Sequence, residues 1–149
     1  MKSFHEDLVG IQVRALERLG AKHALVVYGK DGLDEVSLGA TTVVGELKDG
    51  KIREYELHPE DFGVAMSSHR ALKVATPQES KAMLMSVLNN EDGPPKDIVC
   101  LNAGVALYAA NVVDTVQAGL ELAKKTIATG AAKERLNQMI SFTQGVGKK

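Results

Sequence analysis

The chain has 149 residues, long enough for one domain that buries a sizeable core. Eighteen Lys and Arg against nineteen Asp and Glu leave a net charge of -1, which excludes nucleic-acid or membrane-surface binding driven by bulk charge. No apolar run reaches the roughly 18 residues that a bilayer-spanning helix requires, and the first residues, Met1 to Asp7, lack the apolar stretch of a signal peptide. The one cysteine, Cys100, sits in an apolar run and has no internal disulfide partner, so a reducing, cytoplasmic location is expected.

Taken in order, Ser3 and Glu6 have capping-box spacing. Leu8, Ile11, Ala15 and Leu19 then recur at three- and four-residue steps, which predicts an amphipathic helix ended by Gly20. His23 to Tyr28 predicts a short strand buried on both faces, because Ala24-Leu25-Val26-Val27 shows no alternation. Helix, turn and buried strand together form part of a βαβ pattern whose earlier strand is expected upstream. Thr41–Lys48 and Lys51–Leu57 flank Asp49-Gly50, the pair suited to a type I′ hairpin turn. Glu46, Lys48, Arg53, Glu54 and Glu56 predict a polar ribbon with one side in water. Ile52 falls out of step with Tyr55 and Leu57, which predicts a bulge.

Residues 58–75 read as a loop, with Pro59 barring further strand pairing. Thr76-Pro77-Gln78-Glu79 marks a helix start, with Leu84, Val87 and Leu88 on its apolar side and Asn89-Asn90 at its end. Gly93-Pro94-Pro95 breaks the chain. Asp97–Ala110 is ambiguous by periodicity, since Ile98 to Leu101 suits a strand and Ala103 to Ala110 a helix. Asp114 is placed to cap a further helix carrying Val116, Leu120, Ala123 and Ile127, with Glu121 and Lys125 as an i,i+4 pair. A last helix follows Gly130, with Leu136 and Ile140 on one face, and Gln144–Lys149 is expected to fray.

The stretch richest in chemistry is Val26-Val27-Tyr28-Gly29-Lys30-Asp31-Gly32-Leu33-Asp34-Glu35, a strand running into a turn with three acids. Loops at the carboxyl ends of strands are the usual ligand sites of α/β chains. Two carboxylates about 6 Å apart repel by roughly 3 kcal/mol at an effective dielectric of 20, so adjacent acids are solvated, protonated or given a cation. Magnesium suits such a pair and still accepts phosphate oxygens. Neighbouring strand residues point to opposite faces, so Asp34 and Glu35 share one site only where the backbone is irregular. On the residues alone, a solvated acidic turn is the simpler reading.

Other motifs carry less. Asp61-Phe62-Gly63 matches a kinase tripeptide without the loops that accompany it. Gly145-Val146-Gly147-Lys148 lacks the glycine spacing and following helix of a phosphate loop. His5, His23, His58 and His69 show no metal-ligand spacing, and Arg70 with Lys73 reads as a solvated basic patch.

The wording from Leu25 through Gly39 and on to Pro59-Glu60-Asp61-Phe62-Gly63, with Phe4-His5-Glu6-Asp7-Leu8-Val9-Gly10 before it and Asp97-Ile98-Val99-Cys100-Leu101-Asn102-Ala103 after it, resembles anthranilate phosphoribosyltransferases. The resemblance covers nearly the whole chain but only the C-terminal part of that family's catalytic domain. It implies an α/β fold of the phosphoribosyltransferase and nucleoside phosphorylase-like kind, mostly parallel in its sheet with an antiparallel hairpin, followed by helices, and one buried helix over Asp97–Ala110. It implies a single partial domain over 1–149, with a helix over 1–22, strand, metal loop and hairpin over 23–57, a loop over 58–75 and helices over 76–144. It implies transfer of the phosphoribosyl group from phosphoribosyl pyrophosphate to anthranilate in tryptophan biosynthesis, with Mg2+ held by Asp34 and Glu35 as ligands and no general base assigned. The family's Gly-Thr-Gly-Gly-Asp pyrophosphate loop, its Asn-x-Ser-Thr segment, the arginine that meets anthranilate and its N-terminal helical domain have no match here. Leu72 to Thr76 stands where many members carry a glycine-rich turn, and Tyr28 where histidine is common. Two expectations follow: an enzyme portion inactive alone and active with a complementing N-terminal section, or a non-catalytic binding half-domain that associates through its unpaired sheet edge; the expected partner is a further copy of the chain or that N-terminal fragment.

Overall fold

The computed structural model describes residues 6–147. Helix α1 spans Asp7–Arg18, strands β1, β2 and β3 span His23–Gly29, Thr42–Lys48 and Lys51–Leu57, and helices α2 to α5 span Pro77–Leu88, Pro94–Ala109, Val116–Ala128 and Ala131–Val146. The class is α/β, as expected, and the sheet runs in the order β1-β2-β3. Both strand pairs are antiparallel, so the mostly parallel arrangement is absent from the described strands. The reason is local: residues 30–41 contain no helix that could carry the chain back for parallel pairing.

The hairpin forms where Asp49-Gly50 predicts it. Asp49 and Gly50 have φ of 51° and 70°, and Lys48 pairs with Lys51 across them. The register then runs unbroken to Thr42 opposite Leu57, so the expected bulge does not occur. Ile52 is out of step with Tyr55 and Leu57 because both faces of the sheet are covered. Ile52 packs with Val9, Val13, Val26, Val43 and Leu47 beneath α1, while Tyr55 and Leu57 face the main core. The polar-ribbon reading holds on β3, where Arg53, Glu54 and Glu56 are exposed, and fails at Glu46. Strand β2 is the middle strand, and Glu46 within it is 1% exposed.

Helix α1 docks through a different face from the one its periodicity suggests. Val9 and Val13 are buried, whereas Ile11 is 62% and Leu19 83% exposed. Gly45 on β2 decides this. A Cβ there would lie 2.9 Å from one Val9 methyl and 3.1 Å from one of Val13, so the bare backbone admits the two β-branched side chains. Ser3 of the expected capping box lies outside the described residues, and Glu6, at the N-cap position, makes no side-chain cap bond.

On the opposite side, Val36, Leu38, Val44, Leu57, Leu101, Val105 and Leu120 form the main core. The ambiguous segment is one helix that begins at Pro94, and its Leu101 and Cys100 are fully buried. Helices α3 and α4 meet backbone to backbone: a Cβ on Gly119 would sit 2.3 Å from the Gly104 carbonyl oxygen. Helix α2 starts as predicted, with Thr76 Oγ1 accepting from the Glu79 N–H at 3.1 Å. Helix α4 is capped by Thr115, whose Oγ1 accepts from Ala118 N at 3.1 Å, and not by Asp114. The hydroxyl of Thr115 stands at the position with extended backbone immediately before the first helical turn, which Asp114 precedes by one residue too many. Glu121 pairs with Lys124 at 3.5 Å instead of Lys125. The loop over 58–75 contains two short 3-10 turns, Pro59–Phe62 and His69–Leu72. Helix α5 persists to Val146, past the expected fraying point. Among the described residues, no helix is long and apolar enough to cross a membrane.

Candidate functional site

The acidic turn closes the end of β1. The Lys30 N–H donates to the Thr41 carbonyl at 2.9 Å, which seals the base of the loop, and the Gly29 N–H donates to Leu33 O at 2.9 Å. Gly32, at φ 91°, makes the reversal that lets its N–H reach Gly29 O at 2.8 Å.

The three acids of the turn have separate roles. Asp31 points inward: its Oδ2 accepts from Ser37 Oγ at 2.6 Å and its Oδ1 from Leu33 N at 3.4 Å. Ser37 Oγ accepts in turn from Gly39 N at 2.9 Å, and Ser37 N donates to Thr42 Oγ1 at 3.0 Å. His69 Nδ1 lies 3.9 Å from Asp31 Oδ2, and Ser67 N donates to Leu38 O at 2.9 Å, so the segment before α2 is held against this loop. Asp34 and Glu35 are exposed, and among the described residues no hydrogen bond or ion pair engages either carboxylate. Their backbone lies outside every strand and bends at both positions. The irregularity that lets adjacent acids serve one site is therefore present.

Behind them lies a groove of about 680 Å³ between the loop, α2, α3 and α5. Leu33, Leu72, Val87 and Ile98 help to line it, and Glu35, His69, Lys73 and Ser80 supply its polar groups. Among the described residues no three His, Cys, Asp or Glu side chains cluster to enclose a metal. The donor set on offer at Asp34 and Glu35 is two exposed carboxylates, the kind of hard oxygen donor of which magnesium takes one or two, completing its shell with water and phosphate oxygens. It does not fit a closed structural metal site.

The roles of two residues of this region are not legible in the motif. Asp31, one of the three acids, is the loop's internal fastener. Asn102, on α3, reaches across to Val36, accepting from its N–H and donating to its carbonyl, both at 2.9 Å. The available signal was an amide inside an apolar run, since a buried polar group needs a partner. Arg70 and Lys73 are exposed, consistent with a solvated patch. The Asp61-Phe62-Gly63 tripeptide forms a 3-10 turn in which Asp61 Oδ2 accepts from His58 N at 3.3 Å. Of the histidines, His5 lies outside the described residues, and His58 stands 3.8 Å from Glu60.

His23 joins a second polar cluster on the sheet. There the buried Glu46 carboxylate receives Tyr108 Oη at 2.5 Å and Arg53 Nη2 at 3.0 Å, with His23 Nε2 at 3.4 Å. Burial pushes the Glu46 carboxyl up, but the Tyr108 hydrogen bond and the Arg53 charge, with Tyr55 and His23 beside it, outweigh it and hold it below its usual range. Burial and the neighbouring Glu46 charge raise the Tyr55 phenol. Burial also pushes the Cys100 thiol up, which makes it an unreactive core residue.

Known proteins match this chain closely. The anthranilate phosphoribosyltransferase of Acidovorax sp. strain JS42 is 67% identical over 144 residues, covering 97% of this chain and 42% of that protein. The chain therefore spans about two-fifths of the length of this curated relative. The crystal structure of the Thermus thermophilus anthranilate phosphoribosyltransferase superposes with a TM-score of 0.85 at 36% identity, over 95% of this chain and 41% of that one. The Saccharomyces cerevisiae enzyme, solved with PRPP and Mg, shares the fold at a TM-score of 0.81 and 22% identity, over 93% of this chain and 40% of that one. The glycosyl transferase family a/b domain matches residues 2–133, and with these relatives it establishes that the chain belongs to that family.

Proposed function

We propose that this chain works as part of an anthranilate phosphoribosyltransferase, moving the phosphoribosyl group of phosphoribosyl pyrophosphate to the amine of anthranilate, with Mg2+ held by Asp34 and Glu35. The observation that carries the reading is the pair of uncommitted carboxylates on irregular backbone at the end of β1, in a chain 67% identical to an enzyme of that name. The yeast enzyme solved with PRPP and Mg supports the ligand chemistry. When bound, magnesium supplies charge neutralisation of the leaving pyrophosphate, worth several kcal/mol. The chain's own part is to present two carboxylate oxygen donors while Asp31, already engaged by Ser37, holds the loop. None of its side chains is assigned as general base. A cytoplasmic location and a single partial domain over residues 1–149 accompany this reading.

A second reading, a non-catalytic half-domain that binds another chain or a copy of itself, is favoured by the exposed apolar residues Ile11 on α1, Leu19 just after it, and Met139 and Phe142 on α5. Loss of anthranilate fluorescence separates the two. Turnover is expected when the chain is co-expressed with a segment carrying the Gly-Thr-Gly-Gly-Asp loop, and Asp34→Asn is expected to abolish it. A complemented chain that stays inactive, or stays active after Asp34→Asn, overturns the enzymatic reading.

A further inference from the structure

The Asp34–Glu35 carboxylates have no side-chain bonds of their own among the described residues, so something else must hold them in place. The next residue, Val36, is fixed from two directions. Its side chain is 1% exposed in the main core. Its main chain is gripped by Asn102: Oδ1 accepts from the Val36 N–H at 2.9 Å, and Nδ2 donates to the Val36 carbonyl at 2.9 Å. The second amide hydrogen goes to the Ile98 carbonyl on the same helix at 3.0 Å, which orients the amide. The paired bonds fix the peptide planes on both sides of Val36, and the earlier plane carries the Glu35 carbonyl. Helix α3 is itself tied to the sheet by Tyr108 on Glu46.

We propose that Asn102 is the positioning residue of the metal carboxylates: by clasping Val36 it fixes the main chain that carries Glu35, which lines the groove, and Asp34 beside it. This rests on the metal reading above and extends it to a residue on another element. Outer partners of metal ligands typically contribute 10- to 100-fold in affinity, because a ligand that must first be ordered binds more weakly.

The test is a Mn2+ titration of the 149-residue chain followed by electron paramagnetic resonance, with and without inorganic pyrophosphate. Asn102→Ala is expected to weaken Mn2+ binding about tenfold or more and to speed amide exchange at Val36. Asn102→Ser, whose shorter side chain cannot span to Val36, should do the same and serves if the alanine variant folds poorly. Val13→Ala, in the cluster beneath α1, controls for general destabilisation and should leave Mn2+ affinity unchanged. Wild-type affinity in both Asn102 variants, alongside loss in Asp34→Asn/Glu35→Gln, overturns this proposal and leaves the metal reading standing. Equal weakening by Val13→Ala overturns it as well. Identical binding by wild type and the Asp34→Asn/Glu35→Gln variant overturns the metal reading, and this proposal with it.

Discussion

Tyr108, in the last turn of α3, donates its hydroxyl to Glu46 Oε1 at 2.5 Å and ties that helix to the middle strand of the sheet. Because the folded state holds the Glu46 carboxyl below its usual range, the unfolded chain takes up this proton first as the solution is acidified. Its contribution to stability is complete above pH about 4.5, the ordinary value for the group, and is lost as pH falls through the lowered folded value. Glu46→Gln removes a charge that accepts several hydrogen bonds and should cost about 2 kcal/mol near neutrality. Urea melts from pH 7 to pH 3 should show the gap between wild type and variant closing on the acid side. Tyr108→Phe should cost about 1 kcal/mol and move the acid loss of stability to higher pH.

The contact between α3 and α4 leaves no room for a methyl group. Gly119→Ala places a carbon 2.3 Å from the Gly104 carbonyl oxygen, against backbone that cannot rotate aside. Helix propensity alone favours the change by about 1 kcal/mol, so the sign of the effect reports the packing. Thermal denaturation should show a loss of about 3 kcal/mol for Gly119→Ala. Gly145→Ala, in α5 with nothing within 4 Å of the added carbon, should instead gain up to about 1 kcal/mol.

Where the signal was local, the sequence was readable. Asp49-Gly50 announced its hairpin and Thr76-Pro77-Gln78-Glu79 its helix start, because each names a backbone conformation within four residues. The features that misled depend on distant partners. Helix α1 carries two apolar stripes, and Gly45 on another element selects the one with Val9 and Val13. Glu46 looks like a surface acid until Tyr108, 62 residues away, is seen beside it. At the candidate site the acids could be singled out from their spacing and resemblance. Their division into inner Asp31 and outer Asp34 and Glu35 depends on Ser37, and the role of Asn102 on a contact 66 residues apart.

The cap of α4 offers a clean comparison between adjacent residues. Thr115→Ala removes the acceptor for the Ala118 N–H and should cost about 1 kcal/mol. Asp114→Ala, one position earlier, should stay within about 0.5 kcal/mol of wild type. Chemical denaturation of the two variants distinguishes them, and the reverse ranking would place the cap at Asp114.

The acid turn should separate stability from ligand binding. Asp31 holds the loop through Ser37 Oγ and Leu33 N, so Asp31→Ala leaves those donors without their acceptor and should cost about 2 kcal/mol. Asp34 and Glu35 are adjacent like charges with no protein partner among the described residues, so neutralising them removes repulsion and breaks no hydrogen bond. Asp34→Asn/Glu35→Gln should therefore match or slightly exceed wild-type stability without metal, within about 0.5 kcal/mol. Ligands stabilise a fold by binding the native state alone, so added Mn2+ should raise the melting temperature of wild type and leave that of the double variant unmoved. Melting curves with and without Mn2+ read both effects from one set of samples. A double variant that is markedly less stable than wild type without metal would show that the pair holds the fold together and was not left open for a cation.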